Sequence, residues 1–515
     1  MQIFQWILVL LVGAVGLTAL ARRFNVPYPS LLALGGVALA LLPTAPRFEL
    51  DPALTLALFV APVLLDAAFD TSVRDLRANW IPITCLVLAA VGITTAAVAW
   101  TAHTLVPDMP WAAAIALGAI VAPPDAAAAS AVLKQLRLPH RLLVILEGES
   151  LLNDASALMI YRIAVLAVAS GGLELGTVVP ISLLALVGSV IAGYVLARVY
   201  MRLVVGVSDV PSSIVLQFAG TFGVWILAEH LHLSAIVTVV VFGITAAREA
   251  PRLVPARSRI QSYAVWDLVV FVLNVLAFVL IGLQLRPILG PLTPEQRAAY
   301  FEVAAIVLGI VVAARFVWVF SYSAVARLKL RWFGAGGWPG TAKPAARSSL
   351  VVSWCGMRGI VTLAAAYALP SGFPNRDLIL LTAFSVVVGT LVVQGLTLRP
   401  LIRLLQLRDD DPVDREVRLA CERIVHVGLQ VLDADQSQEA QVIRGELQAQ
   451  LEQTEAQKDP NELGQYDSLR ARIVAAQRDA LLKMRSSDEI GDDAFHQIEA
   501  QLDVAEVNAL GVQYP

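Results

Sequence analysis

The sequence predicts an all-α polytopic membrane protein. Its plan is about 13 transmembrane helices, set as two inverted six-helix repeats with discontinuous fifth and twelfth helices, then a small helical cytoplasmic tail. Three observations lead there. Of 515 residues, 57% are hydrophobic and only 15% charged, where a soluble domain carries about 25% charged residues. The charges are sparse to about residue 400 and dense after it, which reads as a membrane region followed by a soluble one. Finally, the basic residues of the first region collect in every second loop.

A bilayer-spanning helix needs about 20 apolar residues. Runs that meet or approach this lie near residues 4–21, 29–44, 54–70, 82–103, 112–133, 143–168, 177–200, 213–229, 233–247, 264–285, 301–325, 349–370 and 377–402. The first run lacks a basic leader and is followed by Arg22 and Arg23, so it reads as a retained helix and not a cleaved signal. Loops after the odd-numbered spans hold eighteen Lys and Arg residues and the alternate loops only four (Arg47, Arg286, Arg297 and Arg376). Positive charge marks the cytoplasmic side. The N-terminus is therefore expected outside and the C-terminus in the cytoplasm of a multi-pass cell-membrane protein.

Residues 1–402 form the expected transmembrane domain and 403–515 the cytoplasmic helical region. The second opens with Asp409, Asp410, Asp411 and Pro412, a helix stop, and continues with helical spacing. Its role is either regulatory or dimerising, or it is a plain solvated appendage. A net charge of −3 gives no basic field for nucleic acid. Cys85, Cys355 and Cys421 are far apart and read as unpaired buried thiols. No zinc, nucleotide or phosphate-loop motif occurs, so no cofactor is expected and the energy source is an ion gradient.

An ionisable side chain in mid-membrane costs at least about 2.5–3.5 kcal/mol and calls for a partner or a function. Asp125, Asp154 and Arg358 each sit near the centre of a span, the fifth, sixth and twelfth. Two acids and one base leave a negative surplus that suits a cation or a proton. The alternative is a buried ion pair that only fixes packing. The fifth span reads ALGAIVAPPDAAAAS, where Pro123 and Pro124 remove two backbone donors, so the helix should break just before Asp125. In the twelfth, SWCGMRGIVTLAAA, Gly356 and Gly359 weaken the helix on either side of Arg358. Broken helices at mid-membrane free carbonyls and helix ends for ions. Spans five and twelve differ by seven, an odd number, so a repeat that relates them must be inverted. The sixth span carries LEGESLLNDASALMIYR, with Glu147, Ser150 and Asp154 on one face and Glu149 and Asn153 as i,i+4 neighbours on another.

APVLLDAAFDTSVRDLR (61–77), GAIVAPPDAAAASAVL (118–133), LEGESLLNDASALMIY (146–161), LHLSAIVTVVVFGI (231–244), LNVLAFVLIGLQL (273–285) and SWCGMRGIVTLAAAYALP (353–370) follow in order. Together they resemble the monovalent cation:proton antiporter family, in its Na+/H+ exchanger (NhaP-like) branch. The resemblance covers about 54 to 400 and not the tail. It implies thirteen helices, a core domain moving against a dimerisation domain, and a homodimer in the lipid bilayer. It makes Asp154 the principal cation- and proton-carrying carboxylate, with Asn153 as its neighbour and Asp125 and Ser150 as further ligands of the transported monovalent cation. Glu149 and Arg358 would be a structural ion pair; Glu147, an acid on the face of Asp154, is an accessory candidate by its position alone. An Asn-Asp pair implies electroneutral exchange of one cation for one proton. Pro124, where some members have threonine, and Glu147, where animal exchangers are apolar, leave Na+, K+ and Li+ undecided.

The chemistry needs a single competition. A proton and a cation exclude one another at one buried carboxylate. If the protein crosses only when that site is neutralised, exchange follows, with Na+ and H+ as substrates. A K+/H+ antiporter with the same site is the near alternative. An intramembrane aspartyl protease using Asp125 and Asp154 explains the paired acids but not Arg358, and a cation channel would favour rings of filter residues.

Overall fold

The computed structural model describes residues 2–43, 51–125, 129, 133, 138–170, 175–207, 209–333, 346–407, 412–433, 437–456, 473, 476–481, 483–484, 487, 498 and 502. Every regular element among them is helical. The chain divides into two units, Met1–Asp410 and Asp411–Pro515.

In the first unit the helices are α1 (Gln2–Phe24), α2 (Tyr28–Ala40), α3 (Pro52–Asp70), the short α4 (Val73–Ala78), α5 (Trp80–Leu105) and α6 (Trp111–Val121). Then come α7 (His140–Ser170), α8 (Leu175–Val205), α9 (Val210–His230), α10 (Ala235–Leu253) and α11 (Ala256–Leu283). The last four are α12 (Pro294–Phe333), α13 (Ala346–Trp354), α14 (Ile360–Tyr367) and α15 (Arg376–Leu405). Nine helices among the described residues are long and apolar enough to cross a membrane. The other four expected runs are short (α2, α6), broken (α13 with α14), or end in Arg248, Glu249 and Arg252 (α10). Helix starts follow local chemistry. Asp51, Ser72, Asp209 and Ser234 each accept a hydrogen bond from a backbone N–H of the first turn.

The helices sort into two groups by packing. One group joins α5, α6, α7, α12, α13 and α15; the other joins α1, α2, α3, α8, α9, α10 and α11, with α2 also lying on α15. Small residues set the closest approaches, as van der Waals packing in lipid demands. Gly118 of α6 lies against the backbone of Thr95 in α5, and Gly36 of α2 lies against Gly282 of α11. Both discontinuities fall where the prolines and glycines put them. α6 stops at Val121, and the chain is non-helical from Cys355 to Gly359 between α13 and α14. Residues 126–128 are outside the described residues, so the far half of the fifth span is represented by Ala129 and Leu133, both helical.

In the second unit, α16 (Pro412–Leu432) and α17 (Gln438–Ala456) pack on each other. Of the three cysteines only Cys355 is buried; Cys85 and Cys421 are half-buried, a correction to the three buried thiols expected.

Candidate ion-binding site

The two breaks cross each other. In an unbroken helix the Asp125 N–H would bond the carbonyl of Val121, four residues back. Instead it donates to the carbonyl of Met357 at 2.7 Å. Pro123 and Pro124 have no N–H to offer to Ala119 and Ile120, and with the Asp125 N–H turned to Met357 the carbonyls of Val121 and Ala122 at the end of the helix are open to another donor. Arg358 takes them. Its Nε donates to Val121 O at 3.0 Å and its Nη2 to Ala122 O at 3.2 Å, while Nη1 reaches the carbonyl of Gly356. The Arg358 N–H is bound in turn by Thr390 Oγ1 of α15 at 3.1 Å. A cation at a helix C-terminus also meets the negative end of the helix dipole. A side chain at Gly359 would overlap the Asp125 carboxylate, so glycine there lets the two breaks touch.

The second break is capped the same way. α13 ends at Trp354, which frees the carbonyl of Val352, and Arg315 Nε from α12 donates to it at 3.0 Å. The two remaining nitrogens of Arg315 grip Glu149 of α7, at 2.5 and 2.7 Å. Asn153, one turn on, donates its Nδ2 to the same carboxylate at 3.4 Å. Its Oδ1 is buried and has no hydrogen-bond partner among the described residues.

This corrects the pairing expected from the resemblance. The partner of Glu149 is Arg315, and Arg358 binds backbone carbonyls. A guanidinium holds five donors in a fixed fork, which suits Arg358 to an array of carbonyls as well as to a carboxylate. Arg315 was open to the rule that picked out Asp125, Asp154 and Arg358, since it stands near the middle of the apolar run 301–325.

Asp154 lies on α7 one residue beyond Asn153 and is 9% exposed. It stands within electrostatic reach of Asp125, as does Tyr28 at the start of α2, a residue no sequence signal singled out. Ser150 is half-buried on the same helix, and Glu147 is exposed. Among the described residues the cluster thus holds three acids, Asp125, Glu149 and Asp154, against two bases, Arg315 and Arg358. With all five ionised, one negative charge remains uncompensated. Leaving a buried charge unbalanced is costly, and one proton or one monovalent cation would neutralise the cluster.

The foot of α7 is fixed by the short α4. His140 Nε2 lies 3.2 Å from Asp75 Oδ2, and Arg141 donates to Asn79 at 3.0 Å. Burial acts to raise the Asp75 pKa, but hydrogen bonds from Ser72 and His140 and the charge of Arg74 outweigh it and hold the carboxyl below its ordinary value.

Residues 7–404 match the family described as "Sodium/hydrogen exchanger, transmembrane". An uncharacterised Na+/H+ exchanger of Mycobacterium tuberculosis is 31% identical, over 98% of this chain and 96% of its own. The sodium, potassium, lithium and rubidium/H+ antiporter of Bacillus subtilis is 28% identical over 98% of this chain and 78% of its own. The Na+/H+ antiporter NhaH of Halobacillus dabanensis is 28% identical over 78% of this chain and 98% of its own. The fold is similar to that of the sodium proton antiporter MjNhaP1 from Methanocaldococcus jannaschii at pH 8, with TM-score 0.59 and 18% identity over 76% of this chain and 98% of that one.

Proposed function

The chain belongs to the sodium/hydrogen exchanger family, and on that premise we propose that it is a secondary antiporter exchanging a monovalent cation, Na+ first, for H+ across the cell membrane. The observation that carries this reading is the single uncompensated negative charge where the two helix breaks cross. Asp154 is the shared carboxylate. Asp125, Ser150 and the free Oδ1 of Asn153 supply the further oxygens a hard cation needs. Either one proton or one monovalent cation neutralises the cluster, so both loaded forms carry the same charge. Exchange is then electroneutral, one for one.

Alternating access would be the movement of the group built on α5, α6, α7, α12, α13 and α15 against the other. The arginine caps keep both breaks rigid during that step, so the site crosses as a unit. The loop charges support an outside N-terminus, a cytoplasmic C-terminus and thirteen crossings, and the odd separation of spans five and twelve supports an inverted repeat. Two copies form the transporting unit. The name of the Bacillus subtilis relative favours a second reading, in which K+ and Li+ are carried by the same oxygens.

The test is exchange in inverted vesicles with a pH-sensitive dye, adding Na+, K+ and Li+ in turn. Na+ should collapse the proton gradient in the wild type. Asp154→Asn should fold and do nothing, since it removes the proton carrier with almost no change of shape. Near-normal exchange by that variant refutes the assignment.

A further inference from the structure

We infer that α16 is one strand of a parallel two-stranded coiled coil, and that its partner is α16 of a second copy of this chain. The helix carries two apolar stripes on adjacent faces. One runs through Cys421, Val425, Gly428 and Leu432 and faces α17. Val425 is 3% exposed there, and Gly428 lets Leu447 of α17 come close. The other runs through Val413, Val417, Ala420, Ile424, Val427 and Val431, and all six are exposed. Ile424 is 70% exposed and Val431 75%.

The spacing of the bare stripe is four, three, four, three, four. That is the a/d pattern of a heptad repeat, held without a break over the length of the helix. An ordinary surface helix has a broader apolar face; a stripe this narrow and regular fits a single partner helix of the same pitch. In this register Val417, Ile424 and Val431 occupy a, and Val413, Ala420 and Val427 occupy d. Ile and Val at a suit two parallel strands, while Val in place of Leu at d does not add to that preference; the count of two rests on the two-copy transporting unit proposed above. A seam of this kind is its own complement, so an identical helix satisfies it.

The charges select against the other obvious occupant, a membrane surface. Helices that lie on membranes are rich in Lys and Arg on the polar face. The outer face of α16 carries two acids (Glu416 and Glu422) against two arginines (Arg415 and Arg423), so it offers anionic lipid no net attraction. About three heptads make a weak coiled coil alone, but two chains confined to one membrane face meet at raised effective concentration.

The experiment is cysteine crosslinking of the full-length protein in native membranes, with Cys421→Ser as background. Val417→Cys, Ile424→Cys and Val431→Cys should each give a disulfide-linked dimer on mild oxidation. Glu422→Cys, on the outer side of the helix, should give at least about tenfold less, and adding Ile424→Asp to Val417→Cys should lower its yield as much. Failure of all three seam cysteines overturns the inference. So does crosslinking of Ile424→Cys without Val417→Cys and Val431→Cys, which would mark an antiparallel pair. A lipid-contact shift of a fluorophore attached to the Ile424→Cys variant, persisting when dimers are diluted away, also overturns it, because the membrane would then hold the stripe. Crosslinking needs no transport, so loss of exchange with the dimer intact counts against the antiport reading and not against this one.

Discussion

The Glu149 carboxylate and the Arg315 guanidinium meet through two hydrogen bonds, 2.5 and 2.7 Å long, with both side chains almost wholly buried. The third arm of Arg315 holds Val352 O, so one side chain joins α7, α12 and the broken end of α13.

Arg315→Ala should therefore destabilise the protein strongly. Breaking one side of a buried pair typically costs about 3–5 kcal/mol, because the other charge stays buried. Glu149→Gln in the Arg315→Ala background should restore part of the thermal midpoint. The same Glu149→Gln in an Arg358→Ala background should restore much less. Equal recovery in the two backgrounds would show that Glu149 does not prefer Arg315.

Arg358→Lys keeps the charge and loses the fork. A lysine cannot serve the carbonyls of Val121, Ala122 and Gly356 at once. Each hydrogen bond to a charged group is worth about 1.5–3 kcal/mol, so the midpoint should fall and exchange should slow even though the net charge is unchanged. A variant as stable and as fast as the wild type would mean that capping is unimportant.

Gly359→Ala tests the crossing itself. The added methyl group would collide with the Asp125 carboxylate. Cation affinity should drop more than stability does, since the neighbouring break has to move Asp125 away. Gly92→Ala, where an added Cβ meets nothing, is the matched control and should leave both unchanged.

Much of this arrangement was legible in the sequence. Pro123 and Pro124 fixed the end of α6 because they lack donors, and the charge of Arg358 within its glycines marked the second break. The partners of the arginines were not legible. Glu149, Arg315 and Arg358 lie on three different elements, and sequence spacing carries no information about which of two guanidinia a carboxylate will face. Tyr28 was missed for a related reason: its nearness to Asp125 joins residues far apart in the chain.

Outside the membrane, the depressed pKa of Asp75 makes a statement about stability and pH. A carboxyl whose folded pKa lies below its unfolded one stabilises the fold above the unfolded value, and loses that contribution as pH falls through the folded value. The thermal midpoint of the wild type should exceed that of Asp75→Asn at neutral pH, by an amount fitting roughly 1 kcal/mol or less for a partly solvated pair. The gap should close on acidification below the ordinary carboxylate range. A gap that widens in acid would reverse the sign and reject the Asp75–His140 contact as its source.

The most direct test of the antiport mechanism is the apparent Na+ dissociation constant of the purified protein as a function of pH. If one proton must leave the cluster for each cation that enters, each unit drop in pH on the acid side should raise that constant about tenfold, a cost of about 1.36 kcal/mol. On the alkaline side the constant should level off, and Asp154→Asn should show no saturable Na+ binding at any pH. A Na+ affinity that stays constant across the working pH range would contradict competition at a shared carboxylate.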